Sequence, residues 1–574
     1  MVQAPRLLRR KPPPESPSLQ GVPRLLAYLY RNRGVTSRAD VDYRSASLLR
    51  PLFRDIDQAA ALLAEAVEHR KRVLIVGDFD ADGATGCALG VRFLAQLGAA
   101  VDYLVPDRFR FGYGLSPEIV ALALERDPWL IVTVDNGVSS IEGVEAARQA
   151  GARVIVTDHH LPGRRLPNAD AIVNPNLPDC PFPSKHIAGV GVMFYVLAVL
   201  RSTLRASGWF RRAGVPVPRL ADHLDLVALG TVADVVRLDV NNRTLVQLGL
   251  RRIRAGYACR GIDALAQTAG IDVATMTSGD LGFSIGPRLN AAGRLEDMSV
   301  GIECLLATDP DRALDLAVSL DDLNKQRRTI ERGMSDQANG IMRDLELRGE
   351  STPIAISLFH PGWHLGVVGI LAARIRERHH RPTFVFARES PGMLKGSGRS
   401  IPQVHLRDVL AAIETRHPGV IIRFGGHAAA AGLSMRETDL VTFTSAFVAE
   451  VERVLGGCES SDTLWSDGAL AWDDLNIENA ELIRMAGPWG AGFPEPLFDG
   501  EFLVLDSRPV GDGHLKMKLR HPDGGGALDA IRFRPNDDET SGISDRGHFA
   551  YRLQLNDYRG IRAPQLLVEH VSWL

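Results

Sequence analysis

Short, largely apolar runs punctuate the first part of the chain: VLIVG at 73–77, VDYLV at 101–105, LIVTV at 130–134 and RVIVT at 153–157. Between them lie alanine- and leucine-rich stretches with helical spacing, at 84–98 and 139–150, and DIDQAAALLAEAVEHR at 55–70 precedes the first run. Apolar runs this short suit strands buried on both faces. Their alternation with helices predicts a parallel sheet covered on both sides. A further apolar segment, LDLVALGTVAD at 224–234, belongs to the same unit, but periodicity does not decide between helix and strand there.

Beyond residue 308 the pattern changes. Asp309-Pro310 is a helix start, with a capping side chain followed by proline in the first turn. Ile330, Met334, Ala338, Ile341 and Leu345 then keep helical spacing up to a stop at Gly349. A continuous helix here would run about 60 Å, a strut between two domains. Residues 351–456 return to α/β, with strand-like PIAISLF and TFVFA flanking a helical GVVGILAARIRER. A short polar linker follows. The remainder is a series of short alternating runs, which predicts a small β-barrel or sandwich. The expected organisation is an N-terminal tail or extension (1–45), an α/β domain (46–308), the connecting helix (309–350), a second α/β domain (351–456) and a C-terminal β domain (463–574), with residues 1–20 as a flexible tail.

Composition narrows the function classes. With 45% hydrophobic and 24% charged residues in 574, the chain is globular, neither disordered nor fibrous. No apolar run reaches the roughly 18 residues of a membrane span, and the basic, proline-rich start lacks the apolar core of a secretory signal; the expectation is a cytoplasmic protein without a membrane partner. Five scattered cysteines without a CxxC pair suggest neither a disulfide framework nor a zinc site. A net charge of -3 advertises no polyanionic partner, so nucleic-acid binding would rest on local patches.

The chemistry is concentrated where apolar runs end. GDFDADG carries Asp78, Asp80 and Asp82 at a spacing of two, which places all three on one side if the backbone is extended. The later runs end in Asp135-Asn136-Gly137, in Asp158-His159-His160 and in Asp234. A single aspartate there is ordinarily a turn former or helix cap. Four such ends at the carboxyl edge of one open sheet form a ligand site. Six carboxylates and two imidazoles would repel one another without cations, and oxygen-rich donors with imidazole suit Mn²⁺ or Mg²⁺. Two such ions a few Å apart form the arrangement that activates water and clamps a phosphate ester.

GDFDADG, VDNG, TDHH and LGTVAD, in this order, resemble motifs I to IV of the DHH phosphoesterase superfamily. GPRLNAAGR at 286–294 resembles the motif that follows them, GSGRS at 396–400 and FGGHAAAAG at 424–432 resemble the companion DHHA1 domain, and WGAGFPEPLF at 489–498 resembles the nucleic-acid-binding OB domain of the superfamily's single-strand-specific DNA exonuclease branch. The resemblance implies a parallel-sheet DHH domain, a long connecting helix, an α/β DHHA1 domain and an OB-like barrel. It implies Asp80, Asp82, Asp135, His159 and Asp234 as ligands of two Mn²⁺ or Mg²⁺ ions, Asp82 and Asp135 as the bridging pair, and Asp82, Asp135 and His160 as the catalytic set, with His160 facing the scissile phosphate. Asp78 is either a further ligand or a support, since other branches carry a histidine at the position of Val76; Asp158 is expected to support rather than to ligate.

For nucleic acid, DRFRFGYGLS offers Arg108 to phosphate and Tyr113 to a base, and Arg288 and Asn290 sit in what reads as a glycine-bounded loop. Ser397 and Arg399, with the glycine amides of GSGRS, suggest a cup for a terminal phosphate, and His427 stands between packing and phosphate contact ahead of an alanine-rich helix. Residues 500–574 hold ten Lys/Arg and eleven Asp/Glu, so the C-terminal case rests on Lys516 with Lys518 and Arg532 with Arg534, each pair alternating onto one sheet face. The implied activity is 5′→3′ hydrolysis of single-stranded DNA to 5′-mononucleotides in repair and recombination. The partners implied are single-stranded DNA, a helicase and a single-strand-binding protein, around a monomeric enzyme. Two alternatives share the motifs: a nanoRNase or cyclic-dinucleotide phosphodiesterase, and a non-catalytic DNA-binding scaffold.

Overall fold

The computed structural model describes residues 5–12, 19–107, 111, 114–347, 352–456, 463–511, 513–533, 535, 542–558 and 560–574. The chain divides into two compact units that do not follow chain order. One combines Leu8–Asp321 with Trp465–Leu574, and the other is built chiefly from Asp322–Leu464.

In the first unit five strands form a parallel sheet in the order Val101–Leu104, Val73–Gly77, Leu130–Val134, Arg153–Thr157, Ala171–Val173. Every carboxyl end therefore lies at one edge. The order reverses between Val73–Gly77 and Leu130–Val134, where an open sheet splays its loops and leaves a crevice. Both of those strands are buried along their whole length, as their unbroken apolar runs require. The 224–234 segment is a helix, Leu224–Ala233, so Asp234 caps a helix rather than ending a strand.

The same unit holds a closed five-stranded barrel, with strands Phe498–Val510, His514–Arg520, Ala527–Arg532, Ile561–Trp573 and Arg546–Tyr558 in that order around it. One pair is parallel and the others antiparallel, an OB-like closure. The N-terminal segment clamps this region and is not a loose tail where it is described. Arg9 pairs with the buried Asp499 at 2.6 Å, and Arg33 pairs with Asp467 at 2.8 Å with both side chains almost fully buried. Tyr30 donates to the Ala486 carbonyl at 2.8 Å and stacks on Phe493, which in turn lies under the Arg243 guanidinium at 4.1 Å. The helix Gly189–Ala206 is 18 residues long and apolar enough to cross a membrane, yet most of it is buried in this unit's core.

A 38-residue helix, Pro310–Leu347, starts in the first unit and continues into the second. The second unit has a mixed sheet ordered Arg423–Gly426, Ala430–Arg436, Met393–Arg399, Thr383–Ser390, Ile356–Phe359. The alanine-rich GGHAAAAG segment is thus a hairpin and not a helix. Ala430–Arg436 gains ladder partners on both sides, and that pairing overrides alanine's helical preference.

Candidate metal centre and nucleic-acid interface

The acidic residues converge, though not by the extended geometry expected for GDFDADG. The strand ends at Gly77, Asp80 caps the next helix by accepting the N–H groups of Asp82 and Gly83, both at 3.0 Å, and Asp82 lies inside that helix's first turn. Asp82 is buried, and its two oxygens accept the N–H groups of Gly189 (2.6 Å) and Val190 (2.8 Å), at the amino end of the Gly189–Ala206 helix. A helix amino terminus favours a carboxylate, which fixes the orientation of this one. Only glycine fits at 189, because a Cβ there would lie 2.6 Å from that of Asp135.

Asp135 adopts a left-handed backbone (φ 64°), a conformation aspartate tolerates, and so turns back over the strand it follows. Asn136 secures that turn by donating to the carbonyls of Val76 and Val134, tying the two central strands together at the crevice. Asp158 organises the next loop. It accepts N–H groups from Val138, His159 and His160 and the Nδ1–H of His160 at 2.8 Å, in line with a supporting role.

Three overlapping groups result, each with ligand atoms within 4.8 Å of one another: Asp82, His159 and Asp234; Asp78, Asp80 and Asp135; and Asp135, His159 and His160. His159 Nε2 points at Asp135 Oδ1 (2.9 Å), Asp234 Oδ2 (3.5 Å) and Asp82 Oδ2 (3.9 Å). Burial, then the neighbouring Asp80, pushes the Asp82 carboxyl up to about 7. Burial, then Asp82 and Asp80, holds Asp135 and Asp234 well above the usual carboxylate range. Burial lowers His159 to about 4, so it is a neutral imidazole, the form that ligates metal. Burial also pulls on His160, but its hydrogen bond to Asp158 outweighs that and raises it to about 9. His159 Nε2 and Asp234 Oδ2 are buried and make no hydrogen bond among the described residues. Mutually repelling carboxylates with orphaned donor atoms fit divalent cations. Asp78 belongs to this constellation as closely as Asp80 does.

The nucleic-acid candidates fare differently. Arg108 and Tyr113 lie outside the described residues, as does Arg534. GPRLNAAGR is not a loop. It forms the helix Gly286–Leu295, with proline in its first turn. On it, Arg288 is ion-paired to Asp321 at 2.9 Å and also donates to the Ser284 carbonyl, while Asn290 accepts the Ala81 N–H at 2.9 Å and thereby braces the turn carrying Asp80 and Asp82.

In the second unit GSGRS lies in a strand whose amides serve the ladders on either side, so no amide cup exists there. Ser397 and Arg399 instead share one face. The Arg399 guanidinium donates to Ser397 Oγ (3.2 Å) and the Gly398 carbonyl (2.8 Å) and has no carboxylate partner among the described residues. The helix Val368–His379 begins against them, since a Cβ at Gly369 would lie 3.0 Å from Ser397 Oγ and 3.2 Å from Arg399 Nη2. His427 is exposed in the hairpin turn. On the barrel, Lys516 and Lys518 alternate outward with Leu515, Met517 and Leu519 buried behind them, and Lys516 pairs with Asp529 at 3.2 Å.

Several contributors carry no role in the sequence reading: the Gly189 and Val190 amides, and Asn174 and Asn176, which hold the His160 and His159 carbonyls. The glycine pair of HIAGVGVMF and the asparagines of VNPNLP are the signals that mark them.

A parallel sheet with this acidic crevice defines a DHH-type phosphoesterase. The DHH family, N-terminal domain, matches residues 72–231, the DHHA1 domain matches 351–455, and the RecJ OB domain matches 466–570. The single-stranded-DNA-specific exonuclease RecJ of Dickeya dadantii is 50% identical over 98% of this chain and 98% of its own. That of Escherichia coli is 48% identical at the same coverage of both chains. The crystal structure of RecJ in complex with Mn²⁺ from Thermus thermophilus superimposes with a TM-score of 0.80 at 31% identity, covering 99% of this chain and 79% of that one. The chain belongs to the RecJ family.

Proposed function

We propose that this protein is a metal-dependent exonuclease that hydrolyses single-stranded DNA from the 5′ end, releasing 5′-mononucleotides, in DNA repair and recombination. The observation that carries the reading is the convergence of Asp78, Asp80, Asp82, Asp135, His159 and Asp234 at the sheet's switch point, in a chain half identical to a named single-strand-specific exonuclease. Those residues would hold divalent cations, Mn²⁺ or Mg²⁺, which when bound supply charge stabilisation at a phosphate and lower the pKa of water.

The protein's part is placement. The Gly189 and Val190 amides fix Asp82, Asn136 and the left-handed turn fix Asp135, and Asn290 braces the Asp80 cap. His160, held by Asp158 and half exposed, would donate a hydrogen bond to the phosphate undergoing attack. In the second unit, Arg399 with Ser397 and the helix amino end at Gly369 suits a terminal 5′-phosphate, while Lys516 and Lys518 suit the phosphates of a passing strand. A helicase would supply such strands and a single-strand-binding protein would cover them, which places the enzyme with the chromosome in the cytoplasm.

The test is digestion of strands labelled at either end, single or double, carrying a 5′-phosphate or 5′-hydroxyl, with Mn²⁺ and then EDTA. The expected result is mononucleotide release from the 5′ end of single strands only, stopped by EDTA. Arg399→Ala should slow 5′-phosphorylated strands by roughly ten- to a hundredfold, the loss of a charge-assisted contact of about 1.5–3 kcal/mol, and 5′-hydroxyl strands far less. Release from 3′ ends, or activity that survives EDTA, would overturn the reading.

A further inference from the structure

Phe283 is the most exposed aromatic side chain among the described residues, at 82%. It lies in a π-helical turn, Leu281–Ile285, that leads directly into the Gly286–Leu295 helix. Leu281 and Ile285 are fully buried on either side, so the backbone is anchored and the phenyl ring is held outward. Single π-helical turns are rare and occur frequently at functional sites.

This turn packs on the end of the Leu224–Ala233 helix, with Gly282 facing Val232 and Gly286 facing Ala233, one residue before Asp234. The residue after Asp234 is Val235, a β-branched residue held at φ 59° and 71% exposed. Left-handed backbone at such a residue is strained and persists only where the surroundings enforce it. Further along the same segment, Asn290 grips the Ala81 N–H at the Asp80 cap. One segment of chain thus touches two ligand-bearing elements and carries an exposed phenyl ring.

A base in single-stranded DNA has lost its pairing partner, and at the cleavage point its neighbour is being removed as well. An aromatic face offers any base a sequence-independent partner. We propose that Phe283 is a base-stacking platform, holding the nucleobase next to the scissile phosphate and so fixing that phosphate at the acidic cluster. The inference rests on the exonuclease reading and adds a positioning residue to it.

The experiment uses the full chain with Mn²⁺ and 5′-phosphorylated oligodeoxynucleotides. Phe283→Ala, Phe283→Leu and Phe283→Trp are compared with wild type and with Tyr257→Ala, another exposed aromatic. Phe283→Ala should raise KM roughly tenfold, about 1.4 kcal/mol, with a smaller change in kcat; Phe283→Leu should match the alanine variant, Phe283→Trp should restore wild-type KM, and Tyr257→Ala should change nothing. Placing a single abasic site at successive positions from the 5′ end should slow wild type at one position, a step Phe283→Ala no longer shows. An alanine or leucine variant with wild-type KM, or an abasic step that survives in Phe283→Ala, overturns this proposal while the exonuclease reading stands. So does unchanged digestion by Phe283→Ala together with a shift in sedimentation, which would make the ring a contact between copies. A wild-type protein inert towards single strands overturns both.

Discussion

Asp135 meets two opposed demands. Its carboxylate is buried among Asp78, Asp80, Asp82 and Asp234, so without cations it destabilises the fold that holds it. Asparagine accepts the same left-handed backbone and nearly the same volume. Asp135→Asn should therefore raise the melting temperature of the metal-free protein while abolishing hydrolysis. Mn²⁺ at a hundred times its dissociation constant should stabilise wild type by about 2.7 kcal/mol and the variant far less. Melting curves in EDTA and in Mn²⁺ check both halves; an equal Mn²⁺ response in the two proteins would remove Asp135 from the ligand set. The ligand types are legible in the sequence because each group is a few consecutive residues at the end of an apolar run. What fixes Asp82 is not legible, because its amide partners come 107 and 108 residues later and carry no side-chain chemistry. Its truncation also bears on the fold, since both amides would be left buried without an acceptor.

The helix Leu224–Ala233 carries Asp234 at one end and His223 at the other. His223 is buried edge-on to Phe93, and neither ring nitrogen makes a hydrogen bond among the described residues. Burial lowers its pKa to about 4; Arg92 and Arg252 act in the same direction and Asp222 opposes them. A depressed histidine binds its proton more weakly in the folded state. Its stabilising contribution is therefore present above about 6.5 and is lost as the pH falls toward 4. His223→Phe should remove that loss, gaining up to about 3 kcal/mol at the acid end of the window. The check is the melting-temperature difference between variant and wild type, which should widen between about pH 7 and pH 5; a constant difference would show that His223 does not titrate there. This helix was ambiguous in the sequence because it is buried almost all round, which erases the polar stripe that reports period. Val73–Gly77 and Leu130–Val134 were legible for the converse reason, since strands covered on both faces are apolar throughout, whereas Val101–Leu104 lies at the sheet edge, half-buried and with Asp102 exposed. Ala171–Val173 is too short to register, and the hairpin at 423–436 was obscured by alanine and glycine, whose fate there is decided by neighbouring strands.

On the scale of the whole molecule, the chain's beginning and end share a unit while its middle forms another. The C-terminal barrel is therefore not a detachable appendage. Ending the chain at residue 462 would strip Arg33 of Asp467 and Tyr30 and Arg243 of Phe493, and would bare the apolar surface that those contacts cover. The expected outcome is a lower melting temperature or insolubility of the shortened chain, beyond any loss of DNA affinity, and Asp467→Ala in the full chain should lower the melting temperature without removing the barrel. A truncated protein as heat-stable as the intact one would show that the clamp contributes nothing. The same arrangement sets a timetable for synthesis. Arg33 leaves the ribosome early, but the carboxylate it must meet is 434 residues further on. At about 5–20 residues per second the nascent chain waits roughly 20–90 s with the apolar face of its helix Arg24–Arg31 unmatched. A ribosome that stalls late, even past the last metal-ligating residue, therefore releases a chain that bears every acidic motif yet cannot close the unit that holds them.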